Sequence, residues 1–311
     1  MTDVNKTVVK EFILLGFSSF YKLQNAMFYV ILLAYVVCVI GNITIIILVR
    51  AYPILQTPMY FFISTFAFLE ILFVSVTVPK LLAILISTDG STSVIGCFLQ
   101  VYTFHALGEA ECFLLALMVF DRYLAINNPL HYSTFMNGTF CLQLAALPWI
   151  FGFIISFMPA IVTMLLEYCG PNKIDHFFCD LAPLQRLACS DLFLSNVTTV
   201  LAAFLSVITP FVSIVVLYIQ ILCTVLKIRG ISGKKKAFST CSSHLIVASL
   251  FYGTAIIVYS RPSGSHYDKF LALMYTVVTP LLNPFIYTLR NTEVKNALRK
   301  LIRQHLIKPN G

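Results

Sequence analysis

AMFYVILLAYVVCVIGNITIIILV, residues 26–49, contains no charged side chain over 24 positions. A helix needs about 20 consecutive apolar residues to cross a hydrocarbon core roughly 30 Å thick, so this stretch is long enough to span a bilayer. Of all 311 residues, 59% are hydrophobic and only 11% are charged, whereas about 25% of residues are charged in a typical soluble domain. The sequence therefore predicts an integral membrane protein and excludes a water-soluble one.

Six further stretches share this length and apolar character, and most connections between them are short. The seven predicted spans are residues 26–49, 58–86, 96–126, 140–166, 194–226, 237–260 and 270–289. No internal repeat or linker divides the chain, so we expect a single domain over residues 1–311. The predicted fold class is an all-α membrane protein, a bundle of seven transmembrane helices.

The basic residues predict the orientation. On the side that holds the carboxyl-terminal tail, thirteen Lys and Arg residues oppose two acidic residues, whereas eight basic residues balance eight acidic ones on the other side. Because cytoplasmic loops carry the excess of Lys and Arg, we expect a multi-pass plasma-membrane protein with an extracellular tail, residues 1–25, and a cytoplasmic tail, residues 290–311. The net charge of +8 then reflects topology, and no nucleic-acid partner is expected.

The amino-terminal tail carries a glycosylation acceptor, Asn5-Lys6-Thr7, on the side that the modifying enzyme can reach. We therefore expect Asn5 to be glycosylated. The first 24 residues hold no apolar core followed by a small-residue cleavage site, so no cleaved signal peptide is expected.

Four cysteines are predicted on the extracellular side. Cys97 opens the third span, and Cys169, Cys179 and Cys189 lie between the fourth and fifth spans. The extracellular side is oxidising, so an even set of cysteines predicts disulfides. Three pairings are open at this point.

The cytoplasmic tail begins with the pattern of an amphipathic helix. Its apolar face would hold Val294, Ala297, Leu298, Leu301 and Ile302, and its basic face Lys295, Arg299, Lys300 and Arg303. Asn291 can cap this helix, and Glu293 in the first turn suits the positive end of the helix dipole. The pattern favours a short helix along the inner leaflet; an ordinary solvated basic helix is the alternative.

Three carboxylates lie within predicted spans, where charged groups are costly and usually have a partner. Glu70 and Glu111 lie midway along the second and third spans, so we expect them either to share a proton or to hold a sodium ion. No cofactor is required. Glu109 points about 200 degrees away from Glu111 and shares a face with His105 and Cys112. That face predicts either a soft-metal site or two polar anchors of a ligand pocket, His105 and Glu109, bonded to each other.

Several motifs along the chain resemble the signatures of one family. They are Gly41-Asn42, PMYFF at 58–62, MVFDRYLAI at 118–126, PLHY at 129–132, KAFSTCSSH at 236–244 and PLLNPFIY at 280–287. Each motif is short, but their order covers nearly the whole chain. The sequence thus resembles the odorant receptors of the rhodopsin-like family of G-protein-coupled receptors.

The resemblance implies disulfide pairing and residue roles. Cys97 would bond Cys179, and Cys169 would bond Cys189. The resemblance also implies an activation switch made of Asp121, Arg122, Tyr123, Tyr218 and Tyr287. Asn283 would join Glu70 and Glu111 at the sodium site. Tyr252 would replace the tryptophan of other rhodopsin-like receptors and lie beneath the ligand.

Helix periodicity and the family pattern together predict a ligand pocket in the outer half of the bundle. Its residues would be Phe104, His105, Gly108, Glu109, Ala202, Ser206, Tyr252, Ile256, Tyr259 and Thr276. A mostly apolar pocket with a few polar anchors suits a small volatile odorant. Binding would activate a stimulatory heterotrimeric G protein and raise cAMP, with no catalysis.

The sequence departs from the family pattern in three places. Glu70 stands where most members have aspartate, and its longer side chain could crowd a sodium ion. Leu217 and Val119-Phe120 also differ from the residues common in the family, but none of them is an assigned switch residue.

A receptor of the same fold acting outside the olfactory epithelium is the nearest alternative function. A secondary transporter would also use intramembrane carboxylates, but the internal repeats expected of it are missing. A membrane hydrolase would need a nucleophile motif that the sequence does not contain.

Overall fold

The computed structural model describes residues 9–87, 89–169, 171–227, 242, 244–255 and 268–306. The helices are α1 (Gln24–Ala51), α2 (Pro58–Ser87), α3 (Val94–Asn127), α4 (Tyr132–Phe135), α5 (Gly138–Met164) and α6 (Leu181–Gln185). Helix α7 runs through Phe193–Ala203, the π-helical turn Phe204–Ile208 and Thr209–Lys227. Helix α8 is His244–Ala255. Helix α9 runs through Asp268–Leu273, the π-helical turn Met274–Val278 and Thr279–Arg290, and α10 is Thr292–Leu306.

The predicted fold class is confirmed. Within the described residues, six helices are long and apolar enough to cross a membrane: α1, α2, α3, α5, α7 and α9. The shorter apolar helix α8 lies inside the predicted sixth span, whose remainder is outside the described residues. The long helices begin and end within two residues of the predicted spans. The chain is a seven-transmembrane helix bundle.

Helix α3 is the centre of the bundle. It packs against α2, α5 and α7, and most of its central side chains are buried. Its first turn is capped by Ser93, whose side chain accepts a hydrogen bond from the backbone N–H of Gly96 at 3.1 Å. Large apolar side chains on the outer faces of the neighbouring helices, such as Leu33 and Val200, are exposed, as expected where lipid is the solvent.

The two disulfides lie at one end of the bundle, here called the disulfide end. Cys97–Cys179 joins the start of α3 to the connection between α5 and α7, and Cys169–Cys189 closes a loop within that connection. These are the pairings that the family resemblance implies. Their Cα atoms are 5.4 and 5.7 Å apart, an ordinary separation for disulfides.

Part of the amino-terminal tail is folded at the disulfide end. Strand β1 (Glu11–Leu14) is the middle strand of a three-stranded sheet, antiparallel to β2 (Ser91–Ser93) and parallel to β3 (Lys173–Ile174). The tail prediction contained no strand, because four residues, three of them apolar in succession, are too short to show an alternating pattern. Asn5 lies outside the described residues, so its glycosylation stays a prediction.

The opposite end, here called the Arg122 end, carries α10. The predicted amphipathic helix is present, and Asn291 caps it by accepting hydrogen bonds from the backbone N–H groups of Glu293 and Val294 at 3.0 and 3.3 Å. Val294 and Ala297 are buried on its apolar face. Tyr60 of α2 also donates to Asn291 Oδ1 at 3.0 Å, which ties the start of α10 to the bundle.

Candidate functional site

A cavity of about 240 Å³ opens between α3, α5, α7, α8 and α9 in the half of the bundle nearer the disulfides. Six of the ten predicted pocket residues line it: Phe104, His105, Gly108, Glu109, Ala202 and Ser206. The other lining residues were not predicted. They are Cys112, Pro159 and Leu181, then Thr199, Ala203, Val207 and Ile208 of α7, and Phe251, Ala255 and Tyr275. The lining is mostly apolar.

Of the four remaining predicted pocket residues, Thr276 and Tyr252 do not line this cavity. Ile256 and Tyr259 lie outside the described residues. Thr276 is fully buried and donates a hydrogen bond to Ala272 O of its own helix at 2.8 Å. Tyr252 lies next to the cavity residue Phe251 and donates to the backbone oxygen of Cys112 at 3.3 Å.

The π-helical turns explain part of this difference. A π-helical turn inserts one extra residue into an α-helix and so rotates the faces that follow. Both α7 and α9 contain such a turn where they meet the cavity, at Phe204–Ile208 and Met274–Val278. Regular helical spacing predicts that Thr276 faces the cavity, whereas in the structure Tyr275 of α9 lines it. Nothing in the residue pattern signals a π-helical turn.

Gly108 is needed for the approach of Tyr275 to α3. A Cβ atom at Gly108 would lie 3.1 Å from the Tyr275 hydroxyl oxygen, closer than an ordinary van der Waals contact. The Tyr275 ring also packs against Phe104 and Phe251, with ring centroids 6.3 and 5.5 Å apart. These contacts form the aromatic wall of the cavity.

His105 is bonded to a loop residue and not to Glu109, which corrects the expected pairing of the two anchors. His105 Nε2 and Asp180 Oδ1 are 2.9 Å apart. Although burial alone would raise the pKa of Asp180, the hydrogen bond from His105 and the nearby imidazoles hold that pKa below its usual value. Asp180 also accepts from the backbone N–H of Leu181 at 2.8 Å. Helix periodicity could not predict this pairing, because Asp180 lies in a loop 75 positions away from His105 in the sequence.

Glu109 faces the cavity with an unsatisfied oxygen. The residue is 8% exposed, and its Oε2 atom has no hydrogen-bond partner among the described residues. The Ser206 hydroxyl lies beside the same carboxyl group. Across the described part of the chain, no three His, Cys, Asp or Glu side chains are grouped to hold a metal ion. The expected soft-metal site of His105, Glu109 and Cys112 is therefore not assembled.

Deeper in the bundle, Glu70, Glu111 and Asn283 come together as expected. All three are about 1% exposed, and Asn283 Nδ2 donates to Glu70 Oε1. Glu70 Oε2, Glu111 Oε1 and Asn283 Oδ1 are buried without a hydrogen-bond partner in the described structure. A set of unsatisfied oxygens with two carboxylates fits either a proton or a small hard cation.

At the Arg122 end, the acidic and basic residues of the third span form an ion pair. Arg122 Nε donates to Asp121 Oδ2 at 2.8 Å, and Arg122 Nη2 donates to the same oxygen. Tyr132 of α4 donates to Asp121 Oδ1 at 2.6 Å and accepts from Arg122 Nη2 at 3.4 Å. Tyr132 belongs to one of the motifs that carry the resemblance, but it was not assigned a role.

The other three expected switch residues lie on α3, α7 and α9 and are wholly or partly buried. Tyr123 is partly buried against the core, and Tyr218 of α7 is buried. Tyr287 of α9 is buried against Phe66 and His244, with ring centroids 6.2 and 5.6 Å apart. Its hydroxyl has no hydrogen-bond partner within the described residues.

Comparisons with known proteins agree with the fold and the motifs. The family model described as "Olfactory receptor" matches residues 31–305. Olfactory receptor 2C3 of Homo sapiens is 47% identical over 308 residues, which cover 98% of this chain and 96% of that protein. Olfactory receptor 10A7 of Homo sapiens is 44% identical over 97% of both chains, and Olfactory receptor 6E1 of Mus musculus is 45% identical over 95% of this chain and 96% of its own length. The chain therefore belongs to the olfactory receptor family of G-protein-coupled receptors, which are not enzymes.

Proposed function

We propose that this receptor binds small, volatile, mostly apolar odorants in the cavity and activates a stimulatory heterotrimeric G protein, which raises cAMP. The observation that carries the proposal is the cavity itself, because six residues selected from helix faces and family pattern line one space of about 240 Å³. Sites for drug-sized ligands occupy roughly 300 to 1,000 Å³. A space of this size suits a small odorant.

Binding in this cavity would come mainly from burial of apolar surface. Each buried methylene contributes about 0.8 kcal/mol, and the aromatic wall of Phe104, Phe251 and Tyr275 offers dispersion contacts. One or two hydrogen bonds to polar lining residues would orient the molecule. We expect affinity to increase with ligand length until the cavity is full.

The signal would travel along α3 to the ion pair of Asp121 and Arg122. Glu109 and Arg122 are thirteen residues apart on one helix, which is about 20 Å along the axis. An odorant that favours a bundle with the Arg122 end open would shift the population toward the state that binds the G protein. Tyr123, Tyr218 and Tyr287 would rearrange around Arg122 in that state.

We propose that the disulfide end faces the outside of the cell and the Arg122 end faces the cytoplasm, within the plasma membrane. Two disulfides at one end suit the oxidising exterior. The basic residues of the sequence concentrate toward the other end, where α10 would lie along the inner leaflet.

We further propose that Glu70, Glu111 and Asn283 hold either a shared proton or a sodium ion. The support is their three unsatisfied buried oxygens. The protein would need no other cofactor.

The proposal is tested by measuring cAMP in cells that express the receptor while they are exposed to a panel of volatile compounds. At least one compound should raise cAMP in a dose-dependent way. Arg122→Ala should abolish the signal while the receptor still reaches the cell surface. A surface-expressed receptor that responds to no member of a broad panel would contradict the proposal.

A further inference from the structure

The polar groups that line the cavity are almost all satisfied by the protein itself. His105 is bonded to Asp180 at 2.9 Å. Ser206 donates to Ala202 O at 2.7 Å, and Thr199 donates to Ser195 O at 2.8 Å. The hydroxyl of Thr199 also accepts from Gln185 at 3.3 Å. These groups offer a ligand little unused hydrogen-bonding capacity.

Glu109 is the exception. Of the buried side-chain oxygens without a partner in the described residues, Glu109 Oε2 is the one that lines the cavity. The residue is 8% exposed, so bulk water does not satisfy it. A buried carboxylate without a cation or a full set of hydrogen bonds is strongly disfavoured.

The described lining of the cavity contains no Lys or Arg that could neutralise Glu109. The one imidazole in the lining, His105, is already paired with the carboxylate of Asp180. Among the described lining residues, Glu109 is thus the one carboxyl group, and no basic side chain there is free to pair with it. An environment of this kind attracts a cation and repels an anion.

The rest of the lining is apolar and matches a hydrocarbon skeleton. Phe104, Leu181, Val207 and Phe251 surround the space. A ligand that satisfied the whole cavity would have one cationic hydrogen-bond donor and an otherwise apolar body. A protonated aliphatic amine has this chemistry, whereas an alcohol, ketone or ester lacks the charge and a carboxylic acid has the opposite one.

We propose that Glu109 makes this receptor selective for volatile amines, with the ammonium group bound to Glu109 Oε2 and the carbon chain against the aromatic wall. The inference rests on the proposed function, because it names the ligand class of the same cavity. Asp180, through His105, contributes negative charge at the loop side of the site but makes no direct contact in this account.

The test uses the full-length receptor in cells, with cAMP as the readout and surface staining of an amino-terminal epitope as the measure of folding. The probes are primary amines from butylamine to octylamine, and the alcohols, methyl ketones and carboxylic acids of matching chain length. The variants are Glu109→Gln, which removes the charge but keeps the shape, and Glu109→Asp, which keeps the charge on a shorter arm. Glu11→Gln is the matched control, because Glu11 is an exposed carboxylate in β1.

We expect amines to activate the unmodified receptor at lower concentration than any matched neutral or acidic compound. Glu109→Gln should raise the half-maximal amine concentration by roughly 10- to 100-fold, the usual worth of a hydrogen bond to a charged group. Glu109→Asp should keep the preference for amines with reduced potency, and Glu11→Gln should change nothing. If Glu109→Gln does not reach the surface, the class preference of the unmodified receptor and of Glu109→Asp decides the question.

Two other outcomes separate failure of the inference from failure of the proposed function. Activation by alcohols, ketones or acids at concentrations equal to or below those of amines would overturn the amine assignment, and so would an amine response that Glu109→Gln leaves unchanged. Both results would leave an odorant receptor in place. Silence toward every class from a surface-expressed receptor would contradict the proposed function, and the amine assignment with it.

Discussion

Tyr132 holds the carboxylate of Asp121 from α4 while Arg122 holds it from α3. The Tyr132 hydroxyl is 2.6 Å from Asp121 Oδ1, and a hydrogen bond to a charged group contributes about 1.5 to 3 kcal/mol. If the ion pair stabilises the resting state, Tyr132→Phe should shift the population toward the signalling state. We predict a severalfold rise in cAMP without ligand, measured at equal surface expression.

The control for this prediction is Tyr21→Phe, which removes a hydroxyl from a ring that is 68% exposed near the opposite end. It should leave basal cAMP unchanged. Equal basal signals in the two variants would show that the Tyr132 hydroxyl does not restrain the switch.

His176 should make the stability of the receptor depend on pH. The residue is 5% exposed and lies against Phe177 and Phe178. Burial lowers its pKa from 6.5 to about 4, partly opposed by Asp180 and assisted by Lys269. The unfolded chain therefore binds a proton between pH 6.5 and 4 that the folded protein excludes, so stability falls as the pH is lowered through that window. The loss is on the order of 3 kcal/mol.

This prediction is checked by thermal unfolding of the purified receptor in detergent between pH 7.5 and 4.5. The unmodified protein should lose stability steadily below pH 6.5. His176→Gln cannot take up the proton and should show a flatter profile, whereas His131→Gln, at an exposed histidine, should behave like the unmodified receptor. Asp180 does not interfere, because its lowered pKa places its titration below this window. Parallel profiles for all three proteins would refute the assignment to His176.

At this scale, sequence reasoning found the residues whose role follows from their helix face. Phe104, His105, Gly108 and Glu109 lie on one face of α3, and all four line the cavity. The sequence did not predict hydrogen-bond partners that come from loops or other helices, such as Asp180 for His105. The spacing of residues within one helix carries no information about which distant segments contact it.

Helices α3 and α5 meet at Gly152. A Cβ atom there would lie 2.3 Å from the backbone oxygen of Ala106 and 3.0 Å from the backbone nitrogen of Ala110. Backbone cannot move aside as a side chain can, so Gly152→Ala should push the helices apart at a cost of about 1 to 3 kcal/mol. We predict a lower unfolding temperature in detergent and reduced surface expression.

Gly253 is the matched control, since a Cβ atom at this helical glycine would meet nothing within 4 Å in the described structure. Gly253→Ala should leave stability equal or slightly higher, because alanine favours helix over glycine by up to about 1 kcal/mol. The same response of both variants would show that close packing at Gly152 is not the cause.

The amino-terminal segment around Phe17 packs against the loops at the disulfide end and stabilises them. Phe17 is 1% exposed and packs against Phe177 and Phe270, with ring centroids 5.6 and 5.5 Å apart. Lys269 adds a hydrogen bond to Gly16 O at 2.8 Å. Phe17→Ala should cost about 3 to 5 kcal/mol and lower the unfolding temperature, whereas Phe20→Ala, at a ring that is 41% exposed, should cost much less. Similar losses in both variants would contradict an anchoring role for Phe17.

The positions of the membrane-spanning helices were largely predictable, because the thickness of a bilayer sets how many apolar residues each span must have. The sequence predicts α10 equally well, since Asn291 and a one-sided apolar face are local signals. The three short strands and the π-helical turns were not predictable. They depend on how distant segments meet at the disulfide end and around the cavity, and not on the residues within each element.

In the molecule as a whole, an apolar cavity lies near one end of the bundle and an ion pair at the other, and α3 contributes residues to both. We propose that a molecule bound in this cavity drives cAMP production. Ala202 lines the cavity and is 6% exposed, while its neighbour Leu201 points outward with 55% exposure. Enlarging each side chain therefore fills the cavity in one case and only meets lipid in the other.

The most direct test is the cAMP response to an activating odorant in Ala202→Phe and Leu201→Phe receptors at matched surface expression. We expect Ala202→Phe to raise the half-maximal concentration by about tenfold or more, since overpacking a filled site costs about 1 to 3 kcal/mol. Leu201→Phe should respond like the unmodified receptor. An unchanged response of Ala202→Phe would contradict the claim that this cavity is where the odorant acts.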